Sequence, residues 1–253
     1  MTLLRYFTRR SDGFIRPLQI LRGYIESAVR LGVRFAYGLP LTGFRVNQQN
    51  RITQVCTPKG EIATGCVVNA AGAWAADVAR YAGIKIPVYP LRRQVASTYP
   101  TSLLPEEMPM TIFIEDGFHL RVRDNRVLLL WLDELRVVGP FDTSLTDEWV
   151  NEVVQKAHAR VPCLKQTTID RESCWAGLYE MSPDKHALLG PSPEVENLYL
   201  ANGSSGHGVM HAPALGHLLA EIILDGAAYT LDVDALRPAR FAEDKPNVAS
   251  EFL

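Results

Sequence analysis

The segment from Asn202 to Ala214, NGSSGHGVMHAPA, holds the densest group of residues able to do chemistry. A strand, Asn197 to Ala201, leads into it, and a helix over 209–225, ended by Gly226, leads out. A strand that turns through Gly203, Gly206 and Gly208 into a helix exposes several backbone N–H groups. The helix N-terminus adds a partial positive charge, so such a loop suits an anion or a polarised carbonyl. The glycines also let the backbone approach a flat ligand closely. The spacing is neither the dinucleotide fingerprint GxGxxG nor the hydrolase elbow GxSxG. With Ser205 as nucleophile the second glycine falls at position 207, which is His207. His207 and His211 stand four apart, but no HExxH pattern and no third or fourth ligand accompany them, so no metal site is expected.

Two further runs carry chemistry. Trp175 to Asp184, WAGLYEMSPD, ends in a Pro-Asp turn signal. It presents Tyr179 either as a core aromatic or as a hydroxyl donor in a pocket. Arg92, Arg93 and Arg121 lie in a β-rich region, and Arg121 sits between apolar residues in FHLRV. Near the front, the buried strand Cys66 to Val68 passes through the small-residue loop Asn69, Ala70, Ala71, Gly72 into a helix over 73–81. Strand, loop and helix in that order form a unit that holds ligands at strand carboxyl ends.

These pieces sit in an ordinary globular composition. The chain has 253 residues, 47% apolar and 21% charged, with 26 Lys+Arg against 28 Asp+Glu. That excludes a disordered or fibrous class, and the near-neutral charge argues against nucleic-acid binding. No apolar run approaches the roughly 18 residues of a membrane span, and the first residues do not read as a secretory signal. Cys56, Cys66, Cys163 and Cys174 form no CxxC pair. They read as free thiols in a reducing, cytoplasmic setting. If Thr57 pairs with Glu61, Cys56 faces Ile62 and not Cys66.

The elements that must position the candidate residues alternate in style. Pro17 opens a helix with Leu18, Leu21, Ile25 and Ala28 at helical spacing, closed by Gly32 and followed by a short strand, 33–37. Residues 44–57 and 61–68 read as two extended segments around a turn at Pro58-Lys59-Gly60. Short β segments follow at 91–99, 111–115, 118–123 and 126–132, separated by turn signals at Asp116-Gly117 and Asp124-Asn125. They suggest an antiparallel sheet. A helix over 146–160 carries the apolar stripe Trp149, Val153, Val154 and Ala157, with Thr146 as its cap. Beyond Thr230 the chain reads as a loose polar tail.

The motifs VVNAAGAWA (67–75), GLYEMSPDKHALLGP (177–191) and NLYLANGSSGHGVMHAPALG (197–216), in that order, resemble the D-amino-acid oxidase superfamily of flavin-dependent amine and amino-acid oxidoreductases. The nearest branch looks like the sarcosine oxidase β-subunit, with dimethylglycine, sarcosine and proline dehydrogenases as relatives. Asp12-Gly13 ahead of Pro17, and PLRRQ (90–94), match too, so the resemblance covers nearly all of 11–226. It implies an α/β (α+β) fold. An incomplete Rossmann-like FAD-binding domain takes residues 11–87 and 169–230, an antiparallel-sheet substrate domain takes 88–168, and 231–253 form a tail. It implies that Gly203, Ser204, Ser205, Gly206, His207, Gly208 and Val209 lie along the flavin pyrimidine end, where N–H groups and helix dipole stabilise negative charge. Asn69, Ala70, Ala71, Gly72, Trp74 and Gly177 would complete the cofactor contacts. Tyr179 matches the family's active-site tyrosine, and with His207 is the catalytic candidate. The implied reaction is hydride transfer from the carbon beside an amine to flavin N5.

The chain also departs from the family pattern. None of its 18 glycines makes GxGxxG. It is therefore expected to be an N-terminally incomplete member whose FAD binding, and whose catalysis, depend on a missing part or on other subunits of a heteromeric oxidoreductase. Gly177 stands where monomeric sarcosine oxidases carry a flavin-linking cysteine, so the FAD is expected to be non-covalent. Met210 stands where those enzymes place a lysine for the substrate carboxylate, which leaves Arg121 as the candidate anchor.

Overall fold

The computed structural model describes residues 14–132 and 139–249. Asp12, Gly13 and the last residues of the expected tail lie outside them. The described chain divides into two compact units: 14–35, 93–132 and 143–177 form one, and 36–92, 139–142 and 178–249 the other. This division places the first helix with the antiparallel sheet and the segment after Thr230 with the second unit.

In the first unit, helix α1 (Pro17–Arg30) begins at a proline, whose missing N–H costs nothing at a helix start. It ends in paired bonds from Gly32 N–H to Val29 O and from Val33 N–H to Ala28 O, with Gly32 at a φ of +91°. The strand expected at 33–37 does not form: Val33 spends its N–H on closing the helix, and no partner strand lies beside this segment among the described residues. No residue of α1 is buried, and Leu18, Leu21, Tyr24 and Val29 present an apolar face.

Strands β5 (Tyr89–Ser97), β6 (Thr111–Ile112), β7 (His119–Arg123), β8 (Arg126–Leu130) and β9 (Trp175–Met181) form a sheet of order β6-β7-β8-β5-β9. The β7–β8 hairpin turns on Asp124 and Asn125, both at positive φ (52° and 57°), as a two-residue turn between twisted strands requires. Along β7, Leu120 and Val122 are buried while His119, Arg121 and Arg123 point the other way. The buried face meets helix α3 (Asp147–Arg160) through Trp149, Val150, Val153 and Ala157, with Phe118, Val127 and Leu129 filling the core. Thr146 stands at the helix start, but its side chain does not cap the helix. Instead its N–H donates to Gln94 Oε1 at 2.9 Å.

In the second unit, β1 (Gly43–Val46), β2 (Ile52–Thr57) and β3 (Gly60–Ala63) make an antiparallel sheet. The extended segment expected over 44–57 is broken at Asn47 to Asn50, because the Asn47 carboxamide accepts the Gln49 and Arg51 N–H groups and Asn50 adopts a φ of 53°. The hairpin register places Thr57 opposite Gly60 and Cys56 opposite Glu61, one residue from the expected pairing. Strand β4 (Val67–Asn69) runs parallel to β11 (Leu198–Asn202), which pairs antiparallel with β10 (Leu188–Pro191). Buried Asn197 ties the two sheets: it accepts Ile52 N–H at 2.8 Å and donates to Ile52 O and Gly65 O at 2.7 and 3.0 Å. Helix α2 (Ala75–Tyr81) packs Ala75 and Ala79 under β11, and helix α4 (Gly208–Asp225) ends at Gly226. Residues 234–241 are not loose: they form two 3-10 turns that bury Arg240.

Candidate functional site

The turn from β11 into α4 is built by backbone conformations that most side chains resist. Gly203 and Gly206 sit at φ +72° and +90°, and Ser205 at +49°. A methyl group on Gly206 would stand 2.6 Å from the Tyr179 ring, and one on Gly203 would stand 2.8 Å from Leu188. Gly206 is therefore the residue that lets the loop lie against Tyr179. The loop is also bolted from below. Ser205 N–H donates to Glu180 O at 3.0 Å, Ser182 N–H donates to Ser205 Oγ at 3.0 Å, and that hydroxyl donates to Gly203 O at 2.9 Å. Ser205 is completely buried and its hydroxyl is committed, so it serves the loop's shape and not nucleophilic attack.

The bolt extends further. Ser182 Oγ donates to His186 O and to Asp184 Oδ1. Asp184 in turn holds Arg240 through two bonds of 2.8 and 3.0 Å, with both side chains almost fully buried. Burial alone would push the Asp184 carboxyl up. The Arg240 guanidinium and the Asn247 and His186 N–H groups outweigh it and hold the acid well below the usual carboxylate range.

Above this frame the loop keeps donors to spare. Gly206, Gly208 and Val209 donate their N–H to no group among the described residues, whereas His207 N–H turns back to Ser204 O and Met210 N–H to His207 O. The Gly208 and Val209 N–H groups open the first turn of α4, with Gly206 just ahead of it, where the dipole favours negative charge. The His207 ring stacks on His211 with centroids 5.7 Å apart. Burial, then the charges of His211 and His186, keep the His207 imidazole below its ordinary value, which favours the neutral ring. Val209 and Met210 are exposed.

Two buried groups here were not evident from the sequence. One Glu180 carboxylate oxygen accepts Ser204 N–H at 3.3 Å, while the other is buried with no hydrogen-bond partner among the described residues. The Asn202 carboxamide is likewise wholly buried and makes no hydrogen bond on either side among the described residues. An unmade hydrogen bond on a buried polar atom costs about 1–3 kcal/mol, so this end of β11 calls for polar groups beyond those described. The free loop N–H groups and the unsatisfied amide fit a polar, partly anionic planar ligand such as the flavin of FAD. An acid beside Tyr179 and an Asn ending a strand were the only hints; Asp184 with Arg240 left none, because they lie 56 positions apart.

The remaining sequence candidates fall as follows. Asn69 ends β4, buried, and shapes its own loop by accepting Ala71 N–H and donating to Ala75 O. Ala70, Ala71 and Gly72 lead into a 3-10 turn ending at Trp74, whose exposed ring stacks on Phe141 at 5.3 Å. Gly177 has open space where a side chain would project. Arg121 belongs to the first unit, on the sheet face opposite the core, with its guanidinium 5.5 Å over the Phe14 ring.

The family model described as DAO, FAD dependent oxidoreductase, matches residues 6–222. The chain is 32% identical over 236 residues to the hydrogen cyanide synthase subunit HcnC of Pseudomonas protegens, covering 91% of this chain and 54% of that one. It is 28% identical to mitochondrial dimethylglycine dehydrogenase of Rattus norvegicus, covering 92% of this chain and 29% of that one. The L-proline dehydrogenase structure from P. horikoshii superposes with a TM-score of 0.82 at 33% identity, over 91% of this chain and 61% of that one. The chain spans about half the length of the HcnC relatives it matches. Among the described residues no helix is long and apolar enough to cross a membrane.

Proposed function

The chain belongs to the FAD-dependent oxidoreductase (DAO) family, and we propose that it supplies the flavin-facing loop and the substrate sheet of an enzyme oxidising a small secondary amine or amino acid of the sarcosine, dimethylglycine, proline or glycine type. The observation that carries this reading is the β11–α4 loop, with its free N–H groups at the helix N-terminus. FAD, when bound, supplies a hydride acceptor for the carbon beside the amine.

The chain's own residues then do three things. Gly206, Gly208 and Val209 N–H, with the α4 dipole, hold negative charge on the cofactor. Tyr179, whose ring packs against Gly206, is the proposed catalytic tyrosine. His207, kept neutral near pH 7 by burial and by His211, stands at the loop's rim as a proton-transfer group. With Gly177 at the position of the linking cysteine, the FAD is held non-covalently. Arg121 and Met210 remain the proposed substrate contacts, and the cytoplasm the proposed compartment.

A second reading has its own support: a chain that does not catalyse alone and needs a partner subunit or further segment to bind FAD. The GxGxxG fingerprint is absent from the sequence, and α1 exposes much of its apolar face, including Leu18 at 80% and Leu31, just past its end, at 87%. Soluble proteins seldom leave such a face uncovered. The test is the visible spectrum of the purified chain after incubation with FAD and gel filtration. Retained flavin that bleaches with N-methyl or cyclic amino acids supports the first reading. A colourless chain, made flavin-binding by adding a protein that carries a GxGxxG unit, supports the second.

A further inference from the structure

The first unit contains a cavity of about 540 Å³ that the flavin chemistry does not use. It opens between one face of α3 and the segment 164–171. Asp147, Val150, Asn151, Val154, Ala157 and His158 lie on that face at helical spacing, and Leu129 of β8 and Thr98, just past β5, complete the lining. The floor reaches the core: Leu129, Val150, Ala157 and Leu164 are all buried members of the same hydrophobic cluster. The size falls within the range of about 300–1,000 Å³ typical of small-molecule sites, which combine an apolar floor with a few placed polar groups.

The rim is polar and mostly donating. Arg171 reaches over it and pairs with Asp147, which is largely exposed. The side chains of Asn151, His158, Thr167 and Thr168 line the cavity and make no hydrogen bond among the described residues. Thr98, by contrast, is used up: its hydroxyl donates to Tyr99 O at 2.8 Å and accepts Val127 N–H at 3.0 Å. An apolar pit ringed by a guanidinium, an amide, an imidazole and hydroxyls matches a ligand with one carboxylate and an apolar body. The carboxylate would take the fork of Arg171, displacing an exposed ion pair of the kind that contributes little.

We infer that this cavity is a second, non-flavin binding site for a small amphipathic monocarboxylate, with Arg171 reading the carboxylate and the α3 face holding the apolar chain. The site lies wholly within one unit, so it stands or falls apart from the flavin reading.

Calorimetric titration of the full chain with octanoate and with octan-1-ol tests it. Octanoate is expected to bind one per chain, at least tenfold tighter than the alcohol. Arg171→Gln should bring octanoate down to the alcohol's affinity. Asp147→Asn, which removes the competing anion, should tighten octanoate several-fold. Asn151→Trp places bulk at the mouth from an exposed, unbonded position, leaves the core untouched, and should abolish binding of both. Equal affinity for acid and alcohol, octanoate binding indifferent to Arg171→Gln or surviving Asn151→Trp, or no octanoate binding at all would overturn the proposal.

Discussion

Replacing Gly206 by alanine tests whether the loop's contact with Tyr179 or merely its backbone conformation demands glycine. Two costs are separable. A residue with a side chain at φ +90° pays roughly 1–2 kcal/mol for the left-handed backbone. The added methyl also meets Tyr179 Cε2 at 2.6 Å, with Cδ2 and Cζ at 3.1 and 3.2 Å. Relieving that overlap moves a ring carried by a strand backbone, and overpacking of this kind costs about 1–3 kcal/mol. Gly206→Ala should therefore destabilise by about 2–5 kcal/mol. Gly226→Ala supplies the reference, since it has a similar φ of +84° but nothing within 4 Å of the new methyl; it should cost only the backbone share. Urea unfolding followed by far-UV circular dichroism measures both. The excess at position 206 should vanish in a Tyr179→Ala background, giving a coupling of about 1–3 kcal/mol, as expected of residues in contact. Equal costs at 206 and 226, or an excess that persists without the Tyr179 ring, would refute the argument that Gly206 exists to admit the tyrosine.

Other outcomes follow from the same frame. Asp184→Asn leaves the buried Arg240 charge without its counter-ion and should cost about 3–5 kcal/mol at pH 7 by urea titration. Because folding lowers the Asp184 pKa from an unfolded value near 3.9, its stabilisation is complete above about pH 4 and is lost as the pH falls below that. The wild-type midpoint should thus drop on acidification through this range, and the Asn variant should lose part of that slope. Ser205→Ala removes the acceptor of Ser182 N–H and a donor to Gly203 O in a fully buried place, so a loss of about 1–3 kcal/mol is expected. A fluorophosphonate probe should leave Ser205 unlabelled in the native chain. His207 should titrate by NMR below the ordinary imidazole value, and His211→Ala should move that midpoint upward by removing a neighbouring charge.

Much of this protein was legible in the order of its residues because the signals are local. Pro17 and Gly32 bound α1 through φ preferences that need no partner, and Asp124-Asn125 between alternating apolar residues already specify a tight hairpin. Trp149, Val153 and Ala157 show the face α3 must bury. The glycine spacing from Gly203 to Gly208 marks a strand-to-helix turn, and its motif order marks the family. Tertiary structure decided what depends on residues far apart in the chain. The segment 33–37 has strand composition but pairs with no strand among the described residues, and a strand exists only through its partners' hydrogen bonds. Asn47 redirects its own backbone and splits a segment that periodicity reads as continuous. Arg240 lies in a polar stretch with the composition of a tail, yet Asp184 draws it inside, because a buried charge is tolerable only where its counter-ion and hydrogen-bond partners are already in place. The same holds for the site. Its donors could be read from sequence, but their freedom could not: which N–H groups of the loop stay unspent was settled by Ser182, Glu180 and Ser205 meeting beneath it.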